Sequence, residues 1–275
     1  MTNRTSLQSI DRIAEEAFDL LGSGRQVATF SSRYAGFDLA VAYEVAGRIR
    51  TMREARGERP VGRKIGFTNR SVWSGYGISG PIWNYMFDDT VSECEAGEAA
   101  FALKALPEPR IEPEIALHLE KAPRAGMTED ELVACVDWFA HGFEIVSSVF
   151  PGWAFSAADA VAAYGVHSAM LIGARRAISG DRLGWTRRLA NFTVEMTRGD
   201  GVKRGGDARN VLGGPFKALQ FLVDELARQE NGDALRPGEI VTTGTLTEAM
   251  PVAIGQTWWT TFDDPDIAGL RLRFI

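Results

Sequence analysis

Apolar residues recur at helical spacing near the start of the chain. Leu7, Ile10, Ile13, Ala14, Phe18 and Leu21, within residues 5–22, fall on one helix face, and residues 38–56 form a second amphipathic helix ending before the Gly57–Pro60 turn. These segments predict a helical N-terminal cap over residues 1–57. From residue 58 the pattern changes to short, turn-bounded runs, which places a β-rich domain over 58–275. Val61–Phe67 alternates as a strand, with Lys64 facing opposite to Arg63 and Ile65, ahead of a glycine-rich stretch from Ser74 to Pro81. Further strands are predicted at Phe101–Leu106, Ile111–Leu119, Ala169–Gly173, Leu189–Thr197, Ile240–Thr243, Thr257–Phe262 and Leu270–Phe274. Two helices interrupt them. Thr128-Glu-Asp-Glu131 has the capping-box pattern and opens a helix expected to run to about Ala140, and Pro215–Arg228 repeats the helical periodicity. The expected fold is α+β, a β-rich roll with a small helical N-terminal part. No internal repeat, low-complexity tract or long linker breaks it.

The candidate chemistry lies on carboxylates. Residues two apart on a strand point to one face, so Glu112 and Glu114 in Arg110-Ile-Glu-Pro-Glu-Ile115 can present two carboxylates to one point, and Glu144 in Gly142-Phe-Glu-Ile-Val146 can add a third. Hard oxygen ligands without cysteine suit Mg²⁺ or Mn²⁺, and three of them leave positions for water and a chelating substrate. The same E-x-E spacing also occurs on solvated strand faces. Here the flanking residues Ile111, Ile115, Ala116, Leu117, Phe143, Ile145 and Val146 are apolar, and buried carboxylates are costly without a cationic partner.

Composition narrows the classes. At 275 residues, with 45% hydrophobic and 24% charged residues, the chain is an ordinary globular protein, and a net charge of −6 argues against a nucleic-acid or anionic-membrane surface. Cys94 and Cys135, without CxxC spacing, read as reduced thiols. The N-terminal residues lack a signal peptide's apolar core and no run approaches a membrane span, so a cytoplasmic location is expected.

Assembled in order, these segments resemble the fumarylacetoacetate hydrolase superfamily, and within it the 2-oxopent-4-enoate hydratase and 4-oxalocrotonate decarboxylase branch. The resemblance runs from about Val61 to Phe274. It is carried by Gly62-Arg-Lys-Ile-Gly-Phe-Thr68, Arg110-Ile-Glu-Pro-Glu-Ile-Ala116, Glu144-Ile-Val-Ser-Ser148 with Trp153, Val161-Ala162 leading to Ile172-Gly173, Asn210-Val-Leu-Gly213 and Gly238-Glu-Ile-Val-Thr-Thr-Gly-Thr245. It implies a mixed β-sandwich roll like that family's C-terminal domain, a divalent metal on Glu112, Glu114 and Glu144, a lysine at Lys64 beside it, and homo-oligomers of dimer size or larger. Two segments depart from the pattern. The family's Pro-Asp-Phe-Gly is Pro81-Ile-Trp-Asn84 here, closer to the decarboxylases' Pro-Ile-Tyr-Gly, and its Ala-Asp-Asn-Ala-Ser is Ala162-Ala-Tyr-Gly-Val166, followed by His167.

A 2-oxo acid can chelate Mg²⁺ through its carboxylate and keto oxygens, so that the metal stabilises an enolate. Lys64 is the general acid/base candidate, because desolvation and a nearby cation both favour its neutral amine; a lysine that neutralises the glutamates or anchors a substrate carboxylate is the alternative. His118 shares strand parity with Glu114 but lies about 13 Å along the strand, too far to be a ligand. His141 reads either as a cation at the end of the 130–140 helix or as a partner of the Glu144 site. His167 can replace lost acid/base function or serve as a core histidine. Thr243, Gly244 and Thr245 are, by resemblance, candidates to bind the substrate carboxylate, and Trp83 to narrow the pocket. Arg204-Gly-Gly-Asp207 with Asn210–Pro215 reads as a glycine-rich turn before the last helix, without P-loop character.

The expected function is a metal-dependent carbon–oxygen lyase that hydrates an unsaturated 2-oxo acid of 2-hydroxypenta-2,4-dienoate type from aromatic-compound catabolism. The competing readings are a 4-oxalocrotonate-type decarboxylase, an acylpyruvate C–C hydrolase, and a non-catalytic 2-oxo acid binder.

Overall fold

The first periodic segment forms a helix over Leu7–Leu20, capped by the Ser6 side chain, with Ile10, Ile13, Ala14, Ala17 and Leu20 buried. A second long helix, Leu39–Ala55, starts at Asp38, whose carboxylate accepts a hydrogen bond from Val41 N. This computed structural model describes residues 6–76, 78, 80–94, 96–229 and 232–275. Thr5, Gly77 and Ser79, which the sequence places in the first helix and the glycine-rich stretch, lie outside the described residues. The N-terminal helices share one hydrophobic cluster with Ile82, Phe150 and the short helix Ala157–Ala162.

The described residues form the strands β1 (Pro60–Gly66), β2 (Ile82–Phe87), β3 (Val91–Glu93), β4 (Glu98–Phe101), β5 (Arg110–Leu119), β6 (Val136–Val146), β7 (His167–Ile172), β8 (Arg176–Ala177), β9 (Thr193–Arg198), β10 (Lys203–Asp207), β11 (Ile240–Thr242), β12 (Met250–Pro251), β13 (Thr257–Phe262) and β14 (Arg271–Phe274). A nine-stranded sheet runs β2-β1-β11-β5-β6-β7-β3, with β12 on β5 and β8 on β6, and a five-stranded sheet runs β10-β9-β13-β14-β4. Parallel pairs β1/β11, β3/β7 and β14/β4 make both sheets mixed. The sheets pack face to face through Ile111, Phe143 and Ile145 against Met196, Trp258, Leu272 and Phe274. Further along β5 and β6, Ile115, Leu117 and Phe139 join the cluster of the helix Pro215–Arg228 through Phe216, Leu219 and Leu222.

Several boundaries differ from the sequence expectation. The capping box at Thr128 is present, but its helix covers only Glu129–Leu132, and the long strand β6 begins at Val136. Both faces of β6 are buried, so its run of apolar residues lacks the alternation that separates strand from buried helix. The strand expected at Phe101–Leu106 keeps only Phe101, Leu189 closes the helix Arg182–Leu189, and the glycines of Arg204–Asp207 lie inside β10 rather than in a turn.

Pro113 sits inside the central strand β5, where a missing N–H would ordinarily break a ladder. It falls in the gap between the stretches of β5 paired with β12, at Arg110–Ile111, and with β11, at Ala116–His118. In that gap the segment after β11 continues irregularly along the edge of β5, with Thr243 N bonding Ile115 O and Leu246 N bonding Pro113 O. This irregular stretch brings the Gly244 backbone beside Glu114.

Candidate metal centre

The carboxylates converge because of register. In the antiparallel β5/β6 pair Glu112 lies opposite Glu144 and Glu114 opposite Gly142, so all three glutamates share one sheet face. One oxygen from each lies within 4.8 Å of the others. Glu114 and Glu144 are fully buried. Gly142 lets β7 lie close against β6 and cannot be enlarged: a Cβ there would stand 2.4 Å from Met170 Cε and 2.6 Å from Leu171 O.

Lys64 reaches the same face from β1, through Lys64↔Thr242 and Thr242↔Ala116 pairing. Its Nζ donates to Gly165 O at 3.0 Å and lies 3.2 Å from Glu144 Oε2. Tyr164, Gly165 and Val166 all have left-handed φ, at 60°, 64° and 57°, an uncommon conformation for a β-branched valine. That turn aims the Gly165 carbonyl at the lysine. A Cβ on Gly165 would stand 3.1 Å from both Lys64 Cδ and Asn84 Cβ.

Burial disfavours charge throughout this cluster, and the neighbours decide which groups carry it. Desolvation and the Glu144 charge push Glu112 up to about 7, and the same two causes hold Glu114 well above the usual carboxylate range. Desolvation also opposes ionisation of Glu144, but Lys64 and His167 outweigh it and hold its pKa low. For Lys64, desolvation is outweighed by Glu144, Glu112 and Glu114, so its pKa is raised. The neutral amine expected from the sequence is therefore not the state of the cation-free cluster, in which lysine is the counter-charge.

Glu114 Oε1 is buried and has no hydrogen-bond partner among the described residues, and Glu144 Oε2 is buried with the Lys64 ammonium beside it. Their companion oxygens are engaged, Glu114 Oε2 by Gly244 N at 2.9 Å and Glu144 Oε1 by His167 Nδ1 at 2.7 Å. An unsatisfied buried carboxylate oxygen is costly, and Glu114 carries one in the cluster where the three glutamates meet. The donor set is all oxygen and suits a hard divalent cation.

The cluster opens on a cavity of about 360 Å³ whose wall includes Lys64, Glu112, Glu114, Ile82, Val166, Thr245, Thr247, Asn210, Phe155, Trp153 and Arg110. Thr245 lines it, and Gly244 acts through its N–H on Glu114. Thr243 is spent elsewhere: its hydroxyl is buried on Ile115 O. Trp83 does not reach the cavity. By strand alternation Ile82 takes that face of β2, whereas Trp83 stacks on Tyr43 at 5.1 Å and lines a separate groove with Leu39 and Glu225. His167 is also outside the cavity wall. It bridges Glu144 and the Thr90 hydroxyl and lines a second cleft with Arg53 and Tyr164, so it orients a carboxylate from behind. His141 is in mid-strand, not at a helix end, and joins Glu114 O to the Thr260 hydroxyl across the two sheets. Burial lowers its pKa to about 4. His118 pairs with Asp137 and stacks on Trp138, away from the cluster. The sequence reading missed Arg110, although its period-two relation to Glu112 was visible.

Comparison with known proteins bears on this geometry. The chain is 31% identical over 252 residues to a 4-oxalocrotonate decarboxylase of a Pseudomonas species, covering 90% of this chain and 91% of that protein. The chain belongs to the family of 2-keto-4-pentenoate hydratases and 4-oxalocrotonate decarboxylases. A 2-hydroxyhexa-2,4-dienoate hydratase of Comamonas testosteroni is 29% identical over 251 residues, covering 90% of this chain and 91% of that protein. The solved 4-oxalocrotonate decarboxylase of Pseudomonas putida G7, complexed with magnesium and adipate, superposes with a TM-score of 0.88 at 25% identity, covering 99% of this chain and all of the other. No family model matches the chain. The expected family and the mixed roll are thus borne out.

Proposed function

We propose that the protein is a metal-dependent hydratase acting on an unsaturated 2-oxo acid of 2-hydroxypenta-2,4-dienoate type, with Mg²⁺ or Mn²⁺ held by Glu112, Glu114 and Glu144. The observation that carries this reading is the convergence of one oxygen from each of Glu112, Glu114 and Glu144 within 4.8 Å, with Glu114 Oε1 buried and unpartnered among the described residues and Lys64 beside it on the wall of a cavity. The hydratase relatives support the reaction class. When bound, the cation would act as a Lewis acid toward the 2-oxo carboxylate and stabilise developing negative charge. Every other contribution comes from the chain's own side chains and backbone. His167 and Gly244 N fix the orientation of Glu144 and Glu114. The Gly165 carbonyl holds the Lys64 ammonium at the cavity wall, where Nζ can give a proton to the conjugated chain or take one from it. Thr245, Thr247 and Asn210 supply polar groups along the wall, and Phe155, Ile82 and Val166 supply apolar surface that limits water.

Ile82 favours a second reading, decarboxylation. An apolar wall desolvates a carboxylate about to leave as CO₂ and offers no group to position water. One assay separates the two. The purified protein with Mg²⁺ is given 2-hydroxypenta-2,4-dienoate and, separately, 2-oxohex-3-enedioate. Loss of dienoate absorbance with formation of the hydroxy-oxo acid is the expected result, and CO₂ release from the enedioate without dienoate hydration would establish the rival.

A further inference from the structure

Three arginines meet away from the glutamates. Successive residues of a strand face opposite ways, so Arg63, next to Lys64 on β1, points to the other side of the sheet from the metal cluster. There Arg50, Arg63 and Arg236 wall a separate cavity of about 290 Å³ together with Asp233 and Glu239, and none of its residues lines the glutamate cavity. Arg50 is engaged: it pairs with Asp233 and Glu54 and donates to the Tyr85 hydroxyl at 3.3 Å. Arg63 is only partly so. It is 3% exposed, and although its Nη1 donates to Glu239 Oε2 at 2.7 Å, its Nε is buried without a hydrogen-bond partner among the described residues. An unmet buried donor is costly. Arg50 and Arg63 also stack on one ring, 4.9 Å and 4.2 Å from the Tyr85 centroid, which holds two like charges together. Desolvation, with the Arg50 charge added to it, outweighs Glu239 and lowers the pKa of Arg63, so its charge is under-compensated. The Arg236 side chain, on the exposed rim, makes no hydrogen bond or ion pair with any described residue.

From this geometry we infer a second ligand site, on the face of β1 opposite the metal centre, that binds a small monocarboxylate between Arg63 and Arg236. The buried Nε of Arg63 and the open fork of Arg236 are the groups left without an acceptor, and guanidinium forks match a carboxylate in shape and charge. Asp233 and Glu239 in the same wall limit how much negative charge the cavity can take, which favours a single charge over the double charge of phosphate. Pro60, Val61 and Pro237 add apolar surface for a short stem. The site shares no residue with the glutamate cavity, so the inference stands apart from the proposed reaction.

The test is a titration of the ¹⁵N-labelled full chain with sodium butyrate and, separately, with inorganic phosphate, followed by nuclear magnetic resonance of the backbone amides and the arginine Nε–H groups. Butyrate should shift the Arg63 Nε–H signal saturably and bind more tightly than phosphate. Arg236→Gln, at an exposed position that carries no folding risk, should weaken butyrate about tenfold to a hundredfold, as expected for loss of a charge-assisted hydrogen bond. Arg63→Gln should abolish the binding, with circular dichroism as the control for folding, and Lys64→Met, which alters the glutamate cavity, should leave butyrate affinity unchanged. The absence of a saturable shift at Arg63 would overturn the inference, as would unchanged butyrate affinity in Arg236→Gln. Tighter binding of phosphate than of butyrate would overturn the assignment of a monocarboxylate. Loss of butyrate binding in Lys64→Met but not in Arg236→Gln would move the ligand to the glutamate cavity and contradict a second site.

Discussion

Lys64 stands between opposed electrostatic demands. Without a cation it is the counter-charge to a cluster of three glutamates, two of them fully buried, and with one it faces a second positive charge at close range. Lys64→Met keeps the stem and removes both roles. Turnover should fall about 10² to 10⁴-fold, while divalent-cation affinity, measured calorimetrically, should rise because a repelling charge is gone. An unchanged turnover number with only a raised Michaelis constant would make Lys64 a substrate anchor. Glu112 leads to a pH prediction. In the cation-free fold its carboxyl keeps its proton up to about 7, so binding a cation must expel protons, and affinity should rise as pH rises through that value. Titrations in buffers of different ionisation enthalpy should register the released protons. At this scale much was legible: the glutamates followed from period-two spacing and apolar flanks, and Lys64 from its strand parity and the family resemblance. Trp83 and Thr243 were misplaced because a motif locates a backbone segment without saying which side chain faces the cavity.

Strand β6 carries the element-scale lesson. Its start was read as helix because Thr128 and Glu131 do form a capping box, and because a strand buried on both faces shows neither clean period. Only pairing with β5 distinguishes it, and pairing is a long-range fact that no local window contains. The misreading displaced His141 from mid-strand to a helix end. Register also explains Gly142, which no local rule singles out. Gly142→Ala puts a methyl group against the Leu171 carbonyl as well as a movable methionine, so β6 and β7 must separate. Urea denaturation should show a loss of about 1 to 3 kcal/mol, together with weaker cation binding as Glu144 shifts with its strand. Stability unchanged within a few tenths of a kcal/mol would mean that the strands are less tightly apposed than described.

For the whole molecule, the sequence conveyed the mixed roll and the N-terminal helices, and the similarity of the chain to hydratases and decarboxylases over most of its length agrees with that reading. It did not convey how three segments meet at the site: the main sheet supplying the carboxylates, the irregular stretch along β5 supplying Gly244, and the strained Tyr164–Val166 turn supplying the carbonyl that aims Lys64. Those contacts join residues about a hundred or more positions apart and follow from topology alone. The central claim is that Glu112, Glu114 and Glu144 jointly hold one divalent cation. Its most direct test is calorimetric titration of Mn²⁺ into the unaltered protein, Glu114→Gln and Glu144→Gln, with far-ultraviolet circular dichroism as the control for folding. One equivalent should bind to the unaltered chain, and each variant should bind at least about tenfold more weakly with its fold intact. Unchanged Mn²⁺ affinity in both folded variants would contradict the account.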